Sequence, residues 1–179
     1  IVIFLRQQIK DDSIRLVGLK QLKSVHMDKR LIAEAIEFLE LLDIHVYSSS
    51  LKRFEEIYID NYPDDMAQQN KLSVKAEVLE PEDKEDDSRV INAKVNFGLK
   101  FIVGSEKSEQ TNLAEIEACF IAKYHQRSQL SEEAIREFLK FNVVHNVWPF
   151  WREFAFNTAA KAKLPTPMIS LFKPSQEDA

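Results

Sequence analysis

The sequence predicts an α+β fold: a four-stranded antiparallel sheet with C-terminal helices packed on one face, plus an N-terminal helical extension. Two observations carry this. From about residue 51 the apolar residues recur with period two, most clearly at Ile91, Ala93, Val95, Phe97, Leu99, Phe101 and Val103. That is the spacing of a strand with one side on a core. Beyond residue 130 the helical period returns, and Ser131 stands as an N-cap ahead of Glu132 and Glu133. A capping hydroxyl followed by acidic residues favours a helix start through hydrogen bonding and charge.

The elements follow in order. Residues 4–25 carry mixed signals: Ile14, Val17 and Gln21 fit helical spacing, while Ile14, Leu16 and Gly18 alternate. The opening run Ile1-Val2-Ile3-Phe4-Leu5 is followed by Arg6 and is too short to span a membrane. Asp28 is placed to cap a helix running to Asp43, with Leu31, Ile32, Ala35, Ile36, Leu39 and Leu42 on one face and Glu34, Glu37 and Glu40 on the other. Strands are expected at residues 54–59, 72–78, 91–103 and 113–124, the last with Ala114, Ile116, Ala118, Phe120, Ala122 and Tyr124 on its core face. The acidic run over residues 80–87, EPEDKEDD, reads as an unpacked loop. The polar stretch 104–110 suits a hairpin turn, so the strands are expected to form an antiparallel meander. One helix is expected over residues 132–141. A second is expected to begin at Pro149, a favoured first helical residue, with Trp148, Trp151, Ala155, Thr158, Ala159 and Ala162 on one face. Leu164-Pro165-Thr166-Pro167 stops it.

Composition narrows the function. The chain of 179 residues is 45% apolar and 30% charged, enough for one buried core. Its net charge of -5 and pI of about 5.5 disfavour a nucleic-acid partner, whose phosphates call for clustered Lys and Arg. Cys119 stands alone, so no internal disulfide forms, which fits a reducing compartment; a cytoplasmic location is expected. His26, His45, His125 and His145 are not at metal-ligand spacing, and neither HExxH nor GxSxG occurs. With three glycines in the chain, a phosphate-cradling loop has little to be built from. No catalytic residue, metal or cofactor is nominated, and a binding protein is expected rather than an enzyme. Cys119, between Ala118 and Phe120, reads as a small strand hydrophobe.

The segment Asn146-Val147-Trp148-Pro149-Phe150-Trp151-Arg152-Glu153-Phe154 resembles the Pro-aromatic-x-Arg-Glu signature that opens the long helix of SecB-like chaperones. The stretch Leu164-Pro165-Thr166-Pro167-Met168-Ile169 is similar to that family's Leu-Pro exit after the helix. Four strands precede the signature in both. The resemblance divides the chain into an N-terminal helical extension over residues 1–49, a SecB-like domain over 50–173 and a polar tail over 174–179. It implies an ATP-independent holdase for unfolded or precursor polypeptides, with a role in protein export and assembly as a dimer or tetramer. Candidate client-binding residues are Trp148, Phe150, Trp151 and Phe154. Glu115 and Glu117 are the candidate acidic face for a partner such as the SecA motor. The alternatives are a dedicated chaperone for an antitoxin, or a scaffold subunit of the same fold whose N-terminal helix fills the groove in cis.

Overall fold

The structure, a computed structural model, describes residues 28–56, 62–63, 66–79, 89–104 and 110–171, together with the backbone of 16–17. Its elements are β1 (Leu16–Val17), α1 (Lys29–Phe38), β2 (Leu39–Arg53), β3 (Met66–Leu79), β4 (Arg89–Val103), β5 (Thr111–Gln126), α2 (Glu132–Phe138) and α3 (Val144–Lys161), with a π-helical segment over Leu139–Val143 between the last two. The strands form one antiparallel sheet in the order β1-β3-β4-β5-β2. The four long strands and the helices laid on one side of them make the α+β architecture that the alternation predicts.

The alternation in β4 and β5 decides which side is covered. Ala93, Val95, Leu99, Ile116, Ala122 and Tyr124 are all buried on the helix side. Register pairs them across the sheet, Val95 with Phe120 and Ile91 with Tyr124, so each strand contributes to the same layer. Helix α3 lies over this layer with Val147, Trp148, Trp151, Ala155 and Ala159 inward. The ring of Trp151 stacks on Phe97 at 5.3 Å between centroids and 7° between planes, and Trp148 meets Phe97 edge-on at 5.6 Å. Across α3, Phe154 meets Phe120 edge-on at 6.3 Å. At the other end of the sheet Phe138 packs edge-on against Tyr124 at 5.1 Å, and the Tyr124 hydroxyl accepts a bond from Asn146 Nδ2 at 3.0 Å.

Several local expectations need correction. The helix after Asp28 spans Lys29–Phe38 and stops there; Leu39 and Leu42 belong to β2. The cap itself is as expected, since Asp28 accepts from the backbone N–H groups of Arg30 and Leu31. The first long strand is β2, so the strand expected at residues 54–59 is displaced: residues 54–56 are not strand, and 57–59 lie outside the described residues. Residue 49, the expected end of the extension, falls inside β2. The meander holds for β3, β4 and β5, but β2 crosses to pair with β5 and becomes the far edge. Pro149 lies inside α3 rather than at its start. It is exposed, so the hydrogen bond it removes is lost on the water side, where the loss costs least. Upstream, the buried Phe141, Val143, Val144 and Val147 continue the apolar face and hold the chain helical. Ser131 caps as expected, accepting from the N–H of Ala134 at 3.2 Å. The acidic run 80–87, most of the turn 104–110 and the tail 174–179 lie outside the described residues.

After α3, Lys163 adopts φ 53° and turns the chain back across the helix side of the sheet. There Pro165, Pro167 and Ile169 are buried. The side chain of Gln68 on β3 accepts from the N–H of Met168 at 2.8 Å and donates to its carbonyl at 3.1 Å. Trp148 Nε1 donates to the carbonyl of Ser170 at 2.9 Å.

Two outcomes are expected from this core. Replacing Phe97 with Ala removes the platform for both tryptophans and should cost about 3–5 kcal/mol in urea unfolding. Burial pushes the Tyr124 phenol up, against a smaller opposite effect of its bond from Asn146. A folded-state acid that ionises less readily than its unfolded counterpart loses stability as pH rises past the unfolded value, near 10. Stability should therefore fall in the alkaline range, and Tyr124→Phe should flatten that fall; a slope unchanged by the substitution would refute the assignment.

Candidate functional site

The exposed apolar surface is concentrated in one strand. Among the described residues, ten large hydrophobic side chains are exposed, and five of them, Leu41, Leu42, Val46, Tyr47 and Leu51, lie in β2. Register shows which way they point. Leu41 pairs with Tyr124, Val46 with Phe120 and Leu51 with Ile116, and those three partners face the helices. Directly opposed residues of antiparallel strands share a face, so Leu41, Val46 and Leu51 stand on the helix side, along with the half-buried Ile44. No described element covers them.

Helix α3 forms the wall beside this strip. Phe150 is exposed and Phe154 half-buried; four residues apart, they lie on one flank of the helix. The contact of Phe154 with Phe120, the residue paired with Val46, sets that flank toward β5 and β2. Arg53 at the end of β2 donates to the carbonyl of Ala162 beyond the end of α3, which ties the two sides of the groove together at that end. The floor is the helix side of β2 and β5. A strand rises about 3.3 Å per residue, so from Leu41 to Leu51 the strip is roughly 30 Å long, enough for an extended segment of about nine or ten residues.

Helix α1 does not fill the groove. It packs on α2, with Ile32 and Ala35 buried. Asp28 N–H lies 3.5 Å from Glu137 Oε2, the N–H of Arg127 bonds to the carbonyl of Phe38 at 3.0 Å, and Arg127 pairs with Glu40. That pairing, by hydrogen bond first and charge second, holds the Glu40 carboxyl below its ordinary value. Helix α1 is thus an end-cap on the sheet and leaves the β2 strip open.

The residues nominated from sequence separate into three groups. Trp148 and Trp151 are core side chains holding α3 to the sheet, at 8% and 2% exposure. Phe150 and Phe154 reach the groove. Glu115 and Glu117 lie on the opposite side of the sheet. Glu115 is nearly buried and sits 3.5 Å from Lys100, and Glu117 pairs with Lys71 at 3.0 Å. Gly98 stands between the last two in register, and a methyl group there would meet Glu117 Cγ at 3.4 Å. That is ordinary van der Waals contact, so the pair closes over a strand position where even a small side chain would fit. The β2 residues were absent from the sequence-based site.

Other chemistry is sparse. No group of three or more His, Cys, Asp or Glu among the described residues is arranged to hold a metal ion. Cys119 is buried on β5, and burial pushes its thiol up. No described helix is long and apolar enough to cross a membrane.

Neither a protein-family model nor a curated protein matches the chain. Among solved structures, it is similar to the Mycobacterium tuberculosis SecB-like chaperone Rv1957, determined in complex with a ChAD peptide from the HigA1 antitoxin Rv1956. The two share 11% identity at a TM-score of 0.63, over 83% of this chain and 100% of the other. The likeness establishes a shared fold.

The groove makes a direct prediction. An apolar fluorescent dye should bind the folded protein, and replacing Val46 and Leu51 together with Lys should reduce that binding with little change in melting midpoint, because both side chains are exposed. Undiminished dye binding would place the apolar surface elsewhere.

Proposed function

We propose that this protein is an ATP-independent holdase, not an enzyme, that holds unfolded polypeptide in extended form along the groove between β2 and α3. The observation that carries the reading is the uncovered strip of Leu41, Val46 and Leu51 beside Phe150 and Phe154. Surfaces of this kind persist on folded proteins mainly where something binds. The groove offers side chains rather than a charged or catalytic constellation, so it selects clients by apolar content and shape. Burying one such side chain contributes roughly 1.5–3 kcal/mol. A few contacts give only weak affinity once ordering costs are counted, and several subunits on one client raise it by avidity. Assembly as a homo-oligomer in the cytoplasm belongs to the same reading.

The peptide bound by the structural neighbour comes from an antitoxin, which supports a dedicated client of that kind as the finer form of the proposal. Hand-over to an export motor has less behind it. Glu115 and Glu117 each have a lysine beside them, so a partner reading that face as acidic has to displace cations first.

The test is aggregation of a chemically unfolded substrate with stoichiometric full-length protein and no nucleotide. Suppression is expected, and it should weaken several-fold when Leu41 and Val46 are both replaced with Lys. Aggregation that proceeds equally with and without the protein would remove the proposal, as would full suppression by the doubly substituted chain.

A further inference from the structure

The outer face of the sheet, opposite the helices and the groove, holds positive charge in a pattern that strand pairing disfavours. Register sets Lys75 of β3 directly opposite Lys94 of β4, and sets Lys123 of β5 opposite Asn92, one diagonal step from Lys94. Like charges directly opposed in antiparallel strands repel. The carboxylates that could offset them are engaged elsewhere. Glu115 and Glu117 hold Lys100 and Lys71, Glu40 holds Arg127, and Asp43, opposite Lys123, is bonded to His45 at 2.5 Å. Among the described residues Lys75, Lys94 and Lys123 form no ion pair, and Glu77, diagonal to Lys94, is the one unengaged acid beside them.

The neighbours of Lys94 hold it in place without cancelling its charge. Register of β2 against β5 shifts between Leu41 and Asp43 and again between Val46 and Ser48, so Leu42 and Tyr47 are extra residues, each a bulge that re-aims the strand. The second bulge turns Tyr47 to the outer face, where its ring lies 5.0 Å from Lys94 Nζ. An aromatic face attracts an ammonium group but leaves its N–H donors to other partners. Asn92 and Asn96 flank Lys94 on the same face of β4 and present amide donors beside it. The three lysines stand on three adjacent strands, along a line of roughly 12 Å.

We propose that this face docks a short acidic polypeptide segment of another protein, with Lys75, Lys94 and Lys123 each meeting a carboxylate. Alternate residues of an extended chain are roughly 7 Å apart, which suits acids at every second position. The same face argues against nucleic acid. Glu77, Glu115 and Glu117 surround the cations and would repel a continuous phosphate backbone, as would the net charge of -5, whereas a short segment crossing the centre avoids them. The surface lies on the other side of the sheet from the groove, so the inference does not rest on the holdase reading, and an apolar client and an acidic partner have separate places.

The experiment is fluorescence anisotropy of the full chain with a fluorescein-labelled peptide of about ten residues, Glu alternating with Ser. Binding is expected at about 20 mM salt and should weaken several-fold at about 200 mM. Lys75→Gln with Lys94→Gln should weaken it about fivefold or more. Lys29→Gln with Lys161→Gln, which makes the same change in net charge elsewhere, should alter it by less than about twofold. Lys75→Gln alone removes the like-charge opposition and leaves Lys94 on Tyr47, so its melting midpoint should be unchanged or higher, which separates lost binding from lost folding. No binding of the peptide, equal loss in both double variants, or equally tight binding of the matching Gln-Ser peptide would overturn the inference. So would tighter binding of a labelled single-stranded oligonucleotide. Binding that emerges only when the acids of residues 80–87 are replaced by their amides would assign the face to this chain's own acidic run, and would also overturn it.

Discussion

The stacking of Trp151 on Phe97, with Trp148 edge-on to the same ring, is the interaction on which the other features depend. It fixes α3 over the sheet at one lateral position. Phe154 then falls over Phe120, Phe150 falls on the open flank, and β2, one strand beyond β5, is left uncovered. Aromatic contacts of this kind are worth about 0.5–1.5 kcal/mol beyond the area they bury, and their geometry is directional. Had α3 been set one strand further across, it would have covered Val46 and Leu51 and left no groove.

The regular part of the fold was legible because the physics there is local and periodic. Seven alternating apolar residues in β4 and six in β5 have one satisfactory arrangement, a sheet with a single covered face. Asp28 and Ser131 were legible as caps because a short acceptor side chain can reach an N–H two or three residues on. Strand β2 was not legible, and the reason is its bulges. They stretch the step between helix-side residues from two to three at Leu41 to Ile44 and at Val46 to Ser49. A step of three is also a helical step, so Leu39 and Leu42 extended the pattern of α1 convincingly. Pairing with β5 over the whole length of β2 overrides that local preference, and no short window of sequence contains it.

The candidate site divides along the same line. Aromatic residues after Asn146 marked α3 as unusual, but a run of them does not reveal which are inward. Trp148 and Trp151 carry the helix, and Phe150 and Phe154 are what it presents. The acidic residues of β5 showed the reverse problem. Their positions on the outer face followed from alternation, whereas their lysine neighbours come from β3 and β4 and become visible only through register. The exposed side chains of β2 could not be nominated while half of that strand was read as helix.

The cross-sheet placement of β2 has a consequence for synthesis. Its bonding partner is complete only at Gln126, 87 residues after Leu39, with which it is paired. The Gln68 clasp on Met168 closes across 100 residues, far beyond the reach of any local contact. Contacts of such separation form late, because loop closure precedes the energy gained. While the ribosome is still making β3 and β4, the Leu-Glu-Leu-Leu stretch that opens β2 is an apolar segment whose partner strand does not yet exist. During that interval the nascent chain exposes the apolar side chains of β2, and the folded protein still leaves several of them, Leu41, Leu42 and Val46 among them, open to solvent.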